Sequence, residues 1–83
     1  MSENNKSTEQ RILKDIILFE ENISKVKKVE RIDLKLDVIV DLATRYYNDA
    51  KYYLDKRDYL TSFGCINYAH GLLDAILKGG VLR

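Results

Sequence analysis

The 83-residue chain contains no proline, and this absence constrains its fold more than any other feature. Proline is the strongest breaker of a helix interior, so a chain without it can form long, uninterrupted helices. Apolar residues recur at steps of three and four in three successive stretches, which is the spacing of one buried helix face. The sequence therefore predicts a single all-α domain, a three-helix bundle built on an antiparallel C-terminal helical hairpin.

The first helix is predicted over residues 8–28, within a single helical domain at 8–83, and a polar tail at 1–7 is expected to be disordered. Ser7 and Gln10 have the spacing of a capping box, in which side chains satisfy the free amides of a first turn. Leu18 falls outside the apolar stripe of this helix and is expected to be exposed. The predicted stripe consists of Ile12, Ile16, Phe19, Ile23 and Val26, widened by Leu13 and Ile17.

The second helix is predicted over residues 34–56. Periodicity weakens from Val29 to Asp33, so its start is left open, with Asp33 as the preferred N-terminal cap. The predicted inner face comprises Leu36, Ile39, Leu42, Ala43, Tyr46, Tyr47, Ala50, Tyr53 and Leu54. The predicted wet face comprises Asp37, Asp41, Arg45, Asn48, Lys51 and Asp55.

A short connection is predicted to fold the third helix back against the second. Lys56 and Arg57 end the second helix, and Asp58 has the residue type that caps the start of the next one. Arg57 stands where a left-handed backbone is often needed, a conformation that glycine adopts more easily. The third helix is predicted over residues 59–78, ended by Gly79 and Gly80. So short a turn forces the two helices antiparallel.

The third helix carries two apolar stripes and, from residue 59 to residue 77, only one formally charged residue, Asp74. The first stripe is predicted to be core: Tyr59, Phe63, Ile66, Ala69, Leu73, Ile76 and Leu77. The second stripe is Leu60, Gly64, Tyr68, Gly71 and Ala75. Each glycine inside a helix costs about 1 kcal/mol relative to alanine, which suggests close approach of another helix. We expect the first helix and a second copy of the chain to share this covering role.

Several of these residues also resemble a known family, the archaeal domain of unknown function 357. The resemblance covers roughly Ile39 to Gly80. Its motifs are Tyr46-Tyr47-x-Asp49-Ala50-x-x-Tyr53-Leu54, Asp58-Tyr59, Phe63 and Tyr68-Ala69-His70-Gly71-x-Leu73-Asp74-Ala75. The chain departs from the family pattern at Arg57, where glycine is usual, and at Leu72, where an aromatic residue is common. The resemblance implies a small archaeal protein of about three helices, with no settled activity, substrate or catalytic residue.

A strip of polar residues is the candidate for chemistry. Asn67, His70 and Asp74 share one edge of the third helix, and the antiparallel hairpin is expected to bring Tyr46 and Asp49 near them. Such a strip could orient His70 for proton transfer or one metal bond. The alternative is a structural network in which Asp74 and a tyrosine hydroxyl satisfy His70. We favour the structural interpretation, because a lone histidine is a weak metal signal, and we expect no cofactor.

Charge and cysteine content argue against several classes of function. Lysine and arginine number 14 against 13 acidic residues, so no strong footprint for nucleic acid or acidic membrane exists. One cluster, at Lys25, Lys27, Lys28 and Arg31, is explained by a solvated helix end. The single cysteine, Cys65, excludes an internal disulfide and is expected to be a small buried hydrophobe. The N-terminal sequence has no apolar run and no segment spans a bilayer, so a cytoplasmic protein is expected.

The sequence alone does not identify an activity. Our leading hypothesis is a non-enzymatic interaction module that forms a homodimer, or docks on another protein, through the second stripe of the third helix. The rival is a small-molecule or metal site, possibly catalytic, around His70 and Asp74. RNA association is a third hypothesis, based on the lysine cluster and exposed tyrosines. Basic residues do not interleave with those tyrosines in the sequence, which argues against it.

Overall fold

A computed structural model describes the backbone of residues 2–27 and 34–78 and the side chains of residues 6–26 and 36–78. It contains three helices: α1, Ser2–Lys27; α2, Leu34–Asp55; and α3, Tyr59–Leu77. No strand occurs in these ranges, so the predicted all-α fold is confirmed. The proposed Asp33 cap, the boundary at 29–33 and the glycines at 79 and 80 lie outside the described residues.

The helices run up, down and up along an elongated bundle of 46 × 17 × 16 Å. Helices α2 and α3 pack most closely, whereas α1 lies mainly on α3 and touches α2 least. Asp15 of α1 meets His70 near the far end of α3, and Arg11 meets Phe63 nearer its start, so α1 is parallel to α3. The bundle is therefore the predicted one, with α1 laid beside the hairpin.

The core faces predicted from the three-and-four spacing are largely confirmed. Leu77, predicted to be core, is instead 41% exposed because it is the last residue of α3, where the packing against α2 ends. The buried residues are Ile12, Ile16, Phe19, Val26, Leu36, Ala43, Ala50, Ile66, Ala69, Leu73 and Ile76, together with Ser62. The predicted wet face of α2 is exposed throughout, as is Leu18 on α1. The widening of the α1 stripe by Leu13 and Ile17 is wrong, because only one narrow side of α1 faces the other two helices and both side chains are exposed.

Helix α1 starts at Ser2, six residues before its predicted beginning, so residues 2–7 are helical rather than an irregular tail. The capping-box spacing at Ser7 and Gln10 does not mark a boundary here. Residues 2–7 include neither proline nor glycine, the two residues least favourable in a helix, so no strong breaker interrupts the helix before Ser7. Helices α2 and α3 end within one residue of their predicted bounds.

The turn between α2 and α3 has the predicted geometry. Arg57 has a φ of 63°, the left-handed conformation expected of it. Its amide donates to the carbonyl of Leu54 at 3.0 Å, and the amide of Asp58 donates to that of Tyr53 at 2.9 Å. This pair of bonds is a Schellman motif, which satisfies the last free carbonyls of α2. The carboxylate of Asp58 then accepts from the amide of Thr61 at 3.3 Å and caps α3 as predicted.

Ser62 is a core residue that the sequence patterns missed. It is fully buried, and its hydroxyl donates to the carbonyl of Ala50 at 2.6 Å. Ala50 and Ala69 are also fully buried, so small residues let α2 and α3 approach closely at this level. The bond joins a side chain of α3 to the backbone of α2 and fixes how far one helix can slide along the other.

Candidate interaction surface

The second stripe of α3 lies on the outside of the bundle. All five of its residues are exposed: Leu60, Gly64, Tyr68, Gly71 and Ala75. Leu60 has 85% of its surface open to solvent and Tyr68 has 51%. We call these five residues the α3 outer face. None of the five residues is charged, and Asp74 is the one formal charge in α3.

Neither glycine of the α3 outer face is covered within one chain. A Cβ atom built on Gly64 or on Gly71 would have no heavy atom within 4 Å beyond its own helix neighbours. The expectation that α1 packs against these glycines is therefore wrong. Helix α1 instead lies along the neighbouring side of α3, where it meets Phe63 and His70. The two glycines form a shallow open notch rather than a helix contact.

Tyr68 is held in place at the border of this surface. Its ring meets the ring of Tyr46 of α2 at 4.6 Å between centroids, with an angle of 60° between the planes. Such edge-to-face contacts between aromatic rings contribute about 1 kcal/mol beyond simple burial. One side of Tyr68 is thus braced by α2 while the other faces solvent. The ring is a partly fixed, exposed apolar group, which suits an interface.

A groove between α1 and the start of α3 adjoins the α3 outer face. It has a volume of about 380 Å³. Its lining residues are Ser7, Thr8, Arg11, Tyr59, Leu60 and Phe63. The Arg11 guanidinium lies over the Phe63 ring, 5.5 Å from its centre, a cation–π contact. The end of the α3 outer face at Leu60 therefore borders a groove with a positive charge on its far wall.

The predicted polar strip is not assembled as a site. Asn67, Asp74 and Asp49 are exposed, and Tyr46 packs on Tyr68 instead. His70 uses Nε2 to bond the backbone carbonyl of Asp15 on α1 at 2.7 Å. A carbonyl can only accept, so this nitrogen carries the hydrogen. The bonding partner of His70 is thus a backbone carbonyl of α1, and not Asp74 or a tyrosine hydroxyl as the structural interpretation expected.

The surroundings of His70 are those of a packing residue. Its ring meets the edge of the fully buried Phe19 at 5.9 Å between centroids, with the planes at 82°. In the ranges that the structure describes, no group of three or more His, Cys, Asp or Glu side chains is placed to hold a metal ion. His70 thus ties α1 to α3, a role that no sequence pattern revealed because its acceptor is a backbone atom.

A second cluster that sequence reasoning missed surrounds Tyr47 of α2. The ring stacks on Phe19 at 4.8 Å, and the hydroxyl donates to Glu20 at 2.5 Å. Burial raises the pKa of the Tyr47 phenol, the bond to Glu20 raises it further, and nearby Lys51 opposes both. Lys51 also lies over the Tyr47 ring at 5.0 Å. The cluster ties α1 to α2, as His70 ties α1 to α3.

Two observations revise expectations about tyrosine and cysteine. Lys51 lies over the Tyr47 ring, and the ammonium of Lys56 lies 5.5 Å from the centre of the Tyr52 ring. In each pair the lysine follows the tyrosine by four residues. Basic residues therefore do lie beside two of the tyrosines, contrary to the expectation from the sequence. Cys65 is half-buried rather than buried. Partial burial, followed by the charges of Asp49 and Asp58, raises the pKa of its thiol, so it is a poor nucleophile.

The described residues form a three-helix bundle whose third helix leaves an apolar face exposed. A family model described as "protein of unknown function (DUF357)" matches residues 14–82. The chain belongs to this family, which confirms the resemblance seen in the sequence. No curated protein matches the chain. Within the described part of the chain, none of the helices combines the length and the apolar character needed to cross a membrane.

Proposed function

We propose that the chain is a non-enzymatic protein-interaction module that docks through the α3 outer face. The observation that carries this proposal is the exposure of Leu60 and Tyr68, at 85% and 51%, on a helix with one formal charge. Covering an exposed leucine is worth about 1.5–3 kcal/mol, so leaving it in water has a clear energetic disadvantage. A partner that covers this face would remove the disadvantage.

The shape of the face also supports docking. Gly64 and Gly71 leave open space where side chains would otherwise stand, so the backbone of a partner can approach closely. Tyr68 is braced by Tyr46, so less side-chain freedom is lost when a partner covers it. An apolar anchor beside a notch, with a fixed aromatic ring, is the composition of an interface centre rather than of a solvated helix.

The rival function, a small-molecule or metal site around His70 and Asp74, has weaker support. The Nε2 atom of His70 is occupied by the Asp15 carbonyl, and Asp74 is exposed. Only Nδ1 is left to act on a substrate, and the ring packs against the edge of the buried Phe19 rather than in a polar pocket. For the same reason we propose that the protein uses no cofactor. Its near-balanced charge also favours a protein partner over a nucleic acid or a membrane surface.

A comparison of three forms of the chain tests the docking role. The wild type is used to capture proteins from its host, beside Leu60→Ser/Tyr68→Ser and a matched control, Val38→Ser/Tyr52→Ser. The control removes similarly exposed apolar groups from the outer side of α2, at 66% and 57% exposure. We expect self-association or a captured protein to be retained by wild type and control and lost from the α3 variant. Equal behaviour of all three forms would contradict the proposal.

We also propose that the protein acts in the cytoplasm. Its one cysteine, Cys65, is free. Small proteins of oxidising compartments usually contain several disulfides, which an 83-residue chain with one cysteine cannot form internally. Fluorescence or fractionation of the tagged chain in its host checks the location, and recovery outside the cytoplasmic fraction would oppose it.

A further inference from the structure

We propose, building on the docking role above, that the partner of the α3 outer face is a second copy of the same chain. The two α3 helices pair antiparallel about a two-fold axis at Tyr68, with Leu60 of each copy against Ala75 of the other and Asp74 of each copy at Arg11 of the other. The observations that select this occupant are the distribution of large and small residues along α3 and the charges beside it.

Large and small residues of the α3 outer face are arranged to complement each other around Tyr68. Leu60 lies eight residues before Tyr68, and Gly71 and Ala75 lie three and seven residues after it. With a rise of about 1.5 Å per residue, a two-fold axis at Tyr68 brings Leu60 of one copy level with Ala75 of the other. The most exposed side chain of the face then meets a small one. Gly64 of one copy lies almost level with Gly71 of the other, where the two backbones can approach closely, so the face is complementary to itself as a two-fold contact requires.

Parallel pairing offers no such match. It would place Leu60 against Leu60, and two leucines at the same level would hold the helices apart and leave the glycines facing a void. A void lacks van der Waals contacts, and two large side chains at one level cause steric strain, so both weaken an interface. The order of residues along α3 therefore favours the antiparallel arrangement.

Charges beside the face favour the same register. Asp74 lies six residues after Tyr68, and Phe63, which carries Arg11 above its ring, lies five residues before it. The same two-fold axis brings the Asp74 carboxylate of one copy to the level of Arg11 in the other. Asp74 and Arg11 both lie on the side of α3 where α1 packs. The two-fold axis lies in the contact plane, perpendicular to both α3 helices, so this side of one copy faces the same way as in the other copy. The two opposite charges therefore lie on the same side of the dimer.

The groove beside Arg11 provides room for this contact. Its volume of about 380 Å³ lies between Leu60, Phe63 and the start of α1, where the last turns of the second α3 would pass. Two Asp74–Arg11 pairs form in each dimer, one at each end. Parallel pairing would instead bring Asp74 against Asp74, so the charges also discriminate between the two orientations.

Disulfide trapping tests the register directly. In a Cys65→Ser background, one chain carries Leu60→Cys and another carries Ala75→Cys. Mixed under mild oxidation, the two chains should form a disulfide-linked heterodimer, and neither chain alone should link to itself, because a disulfide needs Cα atoms within about 7 Å. Self-linking of either chain would show a parallel arrangement and overturn the proposal. Absence of any link, with a wild type that is monomeric, would overturn it as well.

A charge exchange tests it without altering the apolar contact. Arg11→Asp or Asp74→Arg should each raise the dimer dissociation constant about tenfold, since two attractions become repulsions. The double variant Arg11→Asp/Asp74→Arg should return the constant to near the wild-type value. Asp41→Arg, on the exposed side of α2, is the control and should change little. Two single variants that weaken the dimer without rescue by the double would refute the charge pairing.

Light scattering from about 10 µM to about 1 mM gives these constants, because small interfaces are weak. It also separates the two proposals. A wild type that stays monomeric up to the highest concentration, yet loses a captured protein on Leu60→Ser/Tyr68→Ser substitution, would overturn self-pairing and leave the docking role intact. A monomer whose α3 variant behaves in every respect like the wild type would remove both.

Discussion

Replacing the two glycines of α3 by alanine should stabilise the folded chain. Gly64 and Gly71 are exposed, lie inside a 19-residue helix, and have nothing within 4 Å of an added Cβ. The methyl group therefore causes no clash, and each substitution should add about 0.5–1 kcal/mol to the free energy of unfolding by restricting the unfolded backbone. The sites are two turns apart, roughly 10 Å, so the two effects should add to about 1–2 kcal/mol.

For a domain of this size, each 1 kcal/mol raises the melting temperature by about 4–8 °C. Circular dichroism during urea and thermal unfolding measures the change at a few micromolar protein, where self-association contributes little. Glu21→Ala on the exposed side of α1 is the control and should shift stability by only a few tenths of a kcal/mol. A double variant no more stable than the wild type would refute the reasoning that both glycines stand in open helix.

The same substitution links stability to association. At high concentration, Gly71→Ala should weaken self-pairing, because its methyl group keeps the second copy's backbone from approaching closely at Gly64. A variant that is more stable as a monomer and less associated as a dimer would separate the two effects. Unchanged association of the Gly71→Ala variant would count against a close contact between Gly71 and the second copy's Gly64.

Three further predictions concern buried and half-buried groups. Ser62→Ala removes the hydroxyl bonded to Ala50 and should lower the free energy of unfolding by about 1 kcal/mol in urea titrations, whereas no loss would mean that the bond is immaterial. The pKa of the Tyr47 phenol is raised in the folded chain, so its contribution to stability is full below about pH 10 and is lost as the pH rises through the folded pKa. The free energy of unfolding should therefore fall less for Tyr47→Phe than for the wild type between pH 9 and 11.5. Parallel plots of unfolding free energy against pH for the two proteins would oppose this. Cys65, with a raised pKa, should react with a thiol reagent at pH 7.5 more slowly than the unfolded chain, and equal rates in 6 M urea and buffer would contradict its partial burial.

The hairpin could be predicted from the sequence because its signals are local. Apolar spacing gave the inner faces of α2 and α3, and Asp58 stands where a cap must follow so short a turn. The left-handed backbone at Arg57 followed from the same geometry. Each of these features depends on residues within a few positions of one another, so no knowledge of tertiary packing was needed.

The features that escaped prediction depend on long-range packing. The energetic disadvantage of a helical glycine is the same whether a helix covers it or water does, so Gly64 and Gly71 could not reveal which applies. The acceptor of His70 is a backbone carbonyl on α1, which has no sequence signature. Ser62 has the helical spacing of Ile66 and the rest of the core stripe. Serine is usually exposed, however, so the residue type did not indicate that this position is buried.

The looser attachment of α1 has a consequence for how the protein opens. The bond from Ser62 to Ala50 joins residues 12 apart in sequence, whereas the bond from His70 to Asp15 spans 55. Closing the longer loop costs more chain entropy, and α1 has fewer contacts to offset it. Helix α1 should therefore detach before the hairpin unfolds, and its amide hydrogens should exchange with deuterium at a lower opening free energy than those of α2 and α3. Uniform protection across all three helices would show instead that the bundle opens as one unit.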